Sequence, residues 1–225
     1  MWLFARSYTI YYIAFMIARM SYRDQVREYL QNQMLLGELN AGQTLSLAGL
    51  ARELDVSVTP IREALTQLEQ ARIISSVPNR GFIISDIDAG EAKDIYELIA
   101  ALESLALENS EFSDKDLRDL EKAQKKFRSA KTAIEKVKAD LSFHECLTKN
   151  YDNSFAQQII RDLKTRIFFY EKSYMQDAVL TDVSGDQHSG IIELLKAGKR
   201  KQAAKIVKNN WLIILEFIQK HIANQ

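Results

Sequence analysis

Two groups of residues in this chain have the types and spacing to do chemistry. The first is Ser57-Val-Thr-Pro-Ile-Arg62, which opens a helical pattern. Hydroxyls and free backbone N–H groups at a helix start reach phosphate oxygens and base edges. Arg62, one turn further in, carries the fork that grips a guanine edge bidentately. The second group is Asp140-Leu-Ser-Phe-His144. Four residues apart on a helix, the two side chains share one face, about 40° apart, which suits joint ligation of a metal. Taken alone the second pair is weak evidence, because such pairs are usually surface or satisfied core contacts.

The elements that must position the first group follow from pattern. A helix starts near Ser21, with Val26, Leu30 and Met34 at four-residue steps and Gly37 as its stop. Ser46 opens a second helix that buries Leu47, Leu50 and Leu54, and Asp55-Val56 make a tight turn. Ser57 caps a third helix with Pro60 in its first turn and an inner stripe of Ile61, Leu65 and Leu68. Residues 73–77 and 82–86 read as short strands around Pro78-Asn-Arg-Gly81. Helix, turn, helix and two-stranded hairpin make a winged helix-turn-helix, a module that sets one helix in the DNA major groove.

After it, Asp88-Ala-Gly-Glu91 matches a capping box and marks the domain boundary. Beyond it nothing reads as strand. Six helical segments are expected, at about 89–109, 114–130, 132–150, 152–177, 181–197 and 199–222. The fold class is therefore mainly α: a winged helix-turn-helix over 21–88 and a helical bundle over 89–225. Residues 1–20 form an apolar extension in which Ser7 to Ala18 is an almost unbroken apolar run. It is too short for a comfortable membrane span, and Met20-Ser21 reads as a natural start.

Composition narrows the partners. With 8 Gly and 2 Pro in 225 residues, helices are favoured over a sandwich or barrel. Cys146 is the only cysteine, so no intrachain disulfide or Cys-based zinc site can form, which fits a cytoplasmic protein. Residues 21–88 hold 6 Arg, no Lys and 9 Asp or Glu, a net of −3, so any basic surface for DNA must be local, built by Arg52, Arg62 and Arg80. The lysines at 122, 125, 126 and 131 read as a solvated helix face.

The motifs of residues 21–86 resemble those of the GntR family of bacterial regulators. They stand here as Gly37-Glu38-Leu39, Leu50-Ala-Arg-Glu-Leu-Asp-Val-Ser57, Ser57 to Leu65, and Pro78 to Gly81. The resemblance implies a transcriptional regulator, not an enzyme, that binds double-stranded DNA as a homodimer. Its contacts would be Arg52, Ser57, Val58, Thr59 and Arg62 around the recognition helix, and Asn79, Arg80 and Gly81 in the wing. The family usually has Arg where Val58 stands and Gly where Asp55 stands. Val58 can touch a thymine methyl but cannot donate, so an altered base preference is expected.

The six helices resemble the FadR-like branch with an FCD-type effector domain. In its metal-binding members an Asp-x-x-x-His pair and two further histidines converge. Carried over, they are Asp140, His144, His188 and, where the last histidine would stand, Asn210. The implied cofactor is a divalent metal, zinc or nickel, held weakly because an amide oxygen replaces an imidazole. The family commonly has Arg where Ile99 stands, which suits an organic acid; with Ile99 the expectation is a small-molecule effector that is less acidic than a carboxylic acid, or no effector at all. Two alternatives remain at this point. One is a degenerate regulator working through protein contacts. The other is a metal-dependent hydrolase on Asp140, His144 and His188, which lacks a His-Glu-x-x-His run.

Overall fold

A computed structural model describes residues 21–223 apart from Asn79, Asp86 and Ile87, and apart from the side chains at 35, 169, 172 and 173. The chain divides into two compact units, with the break between Ser85 and Asp86. The expectations for residues 1–20 lie outside the described residues.

In the first unit, α1 (Tyr22–Leu36) is started by Ser21, whose hydroxyl accepts the Asp24 N–H, and stopped by Gly37 at φ 80°. Val26, Leu30 and Met34 are buried, as their spacing requires. α2 (Leu47–Glu53) is capped by Ser46, and only Leu50 is fully withdrawn from solvent on it. α3 (Val58–Gln70) buries Ile61, Ala64, Leu65 and Leu68. The turn between α2 and α3 passes through Asp55 at φ 51°, and the exit from α3 through Arg72 at φ 58°. These are left-handed backbones that glycine adopts more cheaply.

The wing departs from the expected two-stranded hairpin. β2 (Ile74–Val77) and β3 (Gly81–Ile84) pair antiparallel, but β1 (Thr44–Leu45) adds a third strand on the far side of β3. Thr44 stands opposite Ile83 and Leu45 opposite Phe82. Two residues are too few to show an alternating pattern, so the sequence carries no sign of β1. Its Leu45 is buried, which ties the loop after α1 to the wing.

The second unit consists of α4 (Ala89–Glu108), α5 (Asp114–Ser129), α6 (Ala133–Thr148), α7 (Ser154–Tyr174), α8 (Ala178–Lys196) and α9 (Arg200–Ala223). Full capping boxes open α5 (Ser113 with Asp116) and α6 (Thr132 with Glu135). The box expected at Asp88 is only half made. Asp88 accepts the Glu91 N–H at 2.7 Å, while the Glu91 carboxylate turns instead to Arg166 at 2.5 Å and to the Tyr170 hydroxyl at 3.0 Å. A charge-assisted tertiary pair wins over the local bond back to the cap. α4 and α9 make the most extensive contact, and Trp211, Tyr96, Tyr174, Phe127 and Phe143 are the largest fully buried side chains of this unit. No described helix is long and apolar enough to cross a membrane.

Candidate functional site

On α3 the buried stripe of Ile61, Ala64, Leu65 and Leu68 turns the opposite face outward. Ser57, Val58, Thr59 and Arg62 are all exposed on that side, and Val58 is 40% exposed despite being apolar. Ser57 holds the N-cap position but does not cap, because its hydroxyl makes no bond to the helix backbone. The first N–H groups of α3 and the Ser57 hydroxyl therefore remain unused by the fold, a correction to the expected local cap. Arg52 lies in the last turn of α2, and its Nε–H donates to the Ala48 carbonyl at 3.2 Å. Arg80 is exposed at the wing tip. Asn79 lies outside the described residues. Among the described residues no hydrogen bond or ion pair joins Arg52, Arg80 and the start of α3. Gly81 has a structural reason of its own. Its φ is 91°, and an added Cβ would stand 2.6 Å from the Leu45 carbonyl oxygen. The glycine lets β3 close on β1, whatever else the wing approaches.

The second unit brings Asp140, His144 and His188 together. One ligand atom from each lies within 4.8 Å of the others, and all three residues are fully buried. His188 Nε2 is 3.3 Å from Asp140 Oδ1, and His144 Nε2 is 3.8 Å from Asp140 Oδ2. Neither histidine Nε2 and neither aspartate oxygen makes a well-formed hydrogen bond.

The surrounding residues decide which atoms these are. His144 Nδ1 is 2.6 Å from Glu103 Oε2, and Glu103 also accepts from Trp211 Nε1 at 2.8 Å and pairs with Lys164 at 2.7 Å. Burial alone would raise the Glu103 pKa, but Lys164 and His144 outweigh it and hold the carboxyl at about 2. An ionised carboxylate only accepts, so the network assigns the proton to His144 Nδ1. His188 Nδ1 is 2.9 Å from Gln124 Oε1, and the Gln124 amide nitrogen donates to the Gly185 carbonyl at 2.6 Å. That carbonyl fixes the amide orientation, so His188 Nδ1 also carries its proton. Burial first, against the pull of Asp140, lowers the His188 pKa and favours the neutral ring. Neutral His188 thus presents an Nε2 lone pair beside the Asp140 carboxylate, and His144 Nε2 lies 3.8 Å from its other oxygen. Two imidazoles and a carboxylate turned to one buried point fit a divalent cation, which displaces any proton on His144 Nε2.

Asn210 is also fully buried. Its amide nitrogen donates to Gln187 Oε1 at 2.8 Å and to Ser184 Oγ at 3.3 Å, and its Oδ1 has no partner. The amide thus leans on α8, the helix that carries His188. Glu171 on α7 is fully buried without a well-formed hydrogen bond to either oxygen. Burial, then the nearby Asp140 and Glu103 carboxylates, push its pKa well above the ordinary range.

Reading the sequence missed Glu103, Gln124, Trp211 and Glu171. A usable signal existed for two of them. Glu103 interrupts the apolar stripe Tyr96, Ile99, Ala100, Ala106, Leu107, and Gln124 interrupts Leu120, Ala123, Phe127. A polar residue on a buried face needs a partner there.

Comparison with known proteins agrees with both units. Residues 22–84 match the model described as "Bacterial regulatory proteins, gntR family", and residues 94–211 match "FCD domain". The chain is 32% identical over 185 residues to the Nta operon transcriptional regulator of Aminobacter aminovorans, covering 80% of this chain and 83% of that one. It is 26% identical over 195 residues to the uncharacterized HTH-type transcriptional regulator YdhC of Bacillus subtilis (strain 168), covering 82% and 84%. Among solved structures, E. coli McbR/YncC superposes with a TM-score of 0.68 at 25% identity, over 88% of this chain and 99% of that one. A GntR regulator from Rhodococcus sp. RHA1 superposes with a TM-score of 0.73 at 19% identity, over 88% and 98%, which shows a shared fold. The chain belongs to the gntR family of bacterial regulatory proteins, as a transcriptional regulator that joins a helix-turn-helix domain to an FCD effector-binding domain.

Proposed function

We propose that this regulator binds a two-fold site in double-stranded DNA as a homodimer, in the cytoplasm, and that its helical unit holds one divalent metal, zinc or nickel, beside a small-molecule effector. Asp140, His144 and His188 would hold the ion, with Asn210 as a weak fourth ligand. The ion would neutralise Asp140 and offer open positions to an effector. The observation that carries this reading is the buried cluster of Asp140, His144 and His188, whose two histidines are both oriented by bonds from Nδ1 to Glu103 and Gln124. Such outer partners set imidazole tautomers at metal sites.

For DNA, the support is the outward face of α3, where Ser57, Val58, Thr59 and Arg62 stand free of the core. Arg52, Asn79, Arg80 and Gly81 would add backbone and minor-groove contacts. Dimerisation follows from symmetry, since two recognition helices read half-sites about one helical turn apart. An effector that binds one spacing of the DNA-binding units better than another shifts operator affinity by that difference.

The test is selection from random duplexes with the full protein. The expected product is an inverted repeat, shifted at two chains per duplex. Selection of no common sequence would instead favour a regulator acting through protein contacts, as the net acidic DNA-binding unit would suggest.

A further inference from the structure

The Asn210 amide is oriented by a run of hydrogen bonds that starts at a backbone carbonyl. The Tyr174 hydroxyl on α7 lies 3.1 Å from the Leu180 carbonyl oxygen and 2.8 Å from Ser184 Oγ on α8. A carbonyl oxygen only accepts, so the one Tyr174 proton goes to Leu180. The contact between the two hydroxyls then takes the Ser184 proton. Ser184 Oγ has none left for Asn210 and can only accept from it. The Asn210 atom 3.3 Å from Ser184 Oγ is therefore the amide nitrogen. That nitrogen gives its other hydrogen to Gln187 Oε1 at 2.8 Å.

Both N–H bonds of the amide are thus committed to α8. Its oxygen is the atom left over, and no protein donor meets it. Tyr174, Ser184 and Asn210 are all fully buried, where an amide oxygen without a donor is costly. The position of Asn210 ties it to the metal cluster from two sides. Ser184 precedes His188 by about one turn of α8. Trp211, next to Asn210 on α9, donates to the same Glu103 carboxylate that holds His144 Nδ1.

We propose that Tyr174, Ser184 and Gln187 are positioning residues for an oxygen ligand. They lock Asn210 so that Oδ1, and not Nδ2, is the atom offered to the ion. An amide nitrogen only donates, so a flipped Asn210 would be no ligand at all. The locked oxygen joins the Asp140 carboxylate beside two imidazoles. This even division of oxygen and nitrogen donors lowers the preference for zinc over a harder cation such as manganese. The inference rests on the reading that Asp140, His144 and His188 hold a divalent ion.

The test compares zinc and manganese affinity of the chelator-stripped full protein, by competition with a chromogenic chelator, in the wild type and in Tyr174→Phe, Gln187→Leu and Asn210→Leu. Tyr174→Phe frees the Ser184 proton to bond Asn210 Oδ1 and turn the amide over. Gln187→Leu removes the other acceptor of the amide. Each should lower metal affinity by about tenfold, manganese more than zinc. Adding Tyr174→Phe to Asn210→Leu should change neither affinity further. Helicity and Tm are read in parallel. Gln187 is only half-buried, so Gln187→Leu decides the matter even where Tyr174→Phe fails to fold. Unchanged affinities in every variant that folds overturn the proposal. So does an effect of Tyr174→Phe that persists in Asn210→Leu. A fall in affinity with an unchanged manganese-to-zinc ratio assigns the hydroxyl to packing and also overturns it. In each of these cases uptake by the wild type leaves the metal site standing. No uptake of either ion by the wild type removes the metal site and this inference with it.

Discussion

His144 donates its Nδ1–H to Glu103 across 2.6 Å in a fully buried contact that joins α6 to α4. Glu103 in turn accepts the indole N–H of Trp211 on α9 and pairs with Lys164 on α7, so four helices meet at one carboxylate. The bond turns His144 Nε2 towards Asp140. Glu103→Gln can no longer require a proton on Nδ1, because an amide can donate as well as accept. Metal affinity should fall by about 10–100-fold with helicity unchanged. Unchanged affinity by calorimetric titration would remove Glu103 from the site.

Asn210→His supplies the imidazole that the amide now replaces. Metal affinity should rise markedly, read by competition with a chromogenic chelator. The gain depends on room beside Ser184 and Gln187, the present partners of the Asn210 amide. An Asn210→His protein that takes up metal no more tightly than wild type would show that position 210 does not face the ion.

Much of the DNA-binding unit was legible in the sequence because its signals are local. Ser46, Gly37 and the stripe of α3 each act within a turn or two of the chain. The candidate site was legible only in part. The i, i+4 spacing of Asp140 and His144 is local, but their partners come from α4, α5 and α8. No spacing rule links residue 144 to residue 103, or 188 to 124. Glu171 gave no sign because a glutamate on a long helix is normally exposed. β1 was hidden because its pairing is decided by Gly81, which leaves no Cβ against Leu45.

Arg62→Ala removes the strongest base-reading group on the outer face of α3. Specific binding should weaken by about 1–3 kcal/mol per half-site, so a two-fold site loses it twice. Val58→Arg should do the reverse, adding a donor and a charge that sharpen guanine preference. Electrophoretic shift with the selected operator checks the first, and repeated selection checks the second. Equal affinity for Arg62→Ala, or an unchanged selected site for Val58→Arg, would move the recognition surface elsewhere.

Arg72 and Asp55 hold left-handed backbone at φ 58° and 51°. Arg72→Gly should stabilise the first unit by up to about 1 kcal/mol, since a Cβ disfavours this conformation. Asp55→Gly should give less, because Asp tolerates it better. Gly81→Ala should destabilise strongly, through both its φ and the 2.6 Å approach to Leu45. Urea unfolding of the full chain reads all three, and a neutral Gly81→Ala would mean that β1 does not close on β3.

The most direct measurement is titration of chelator-stripped protein with zinc and with nickel, beside Asp140→Ala and His188→Ala. The account predicts one ion per chain for the wild type, with proportional release by chelator, and little or no uptake by either variant. Absence of stoichiometric uptake by the wild type, or uptake that both variants retain, would contradict it.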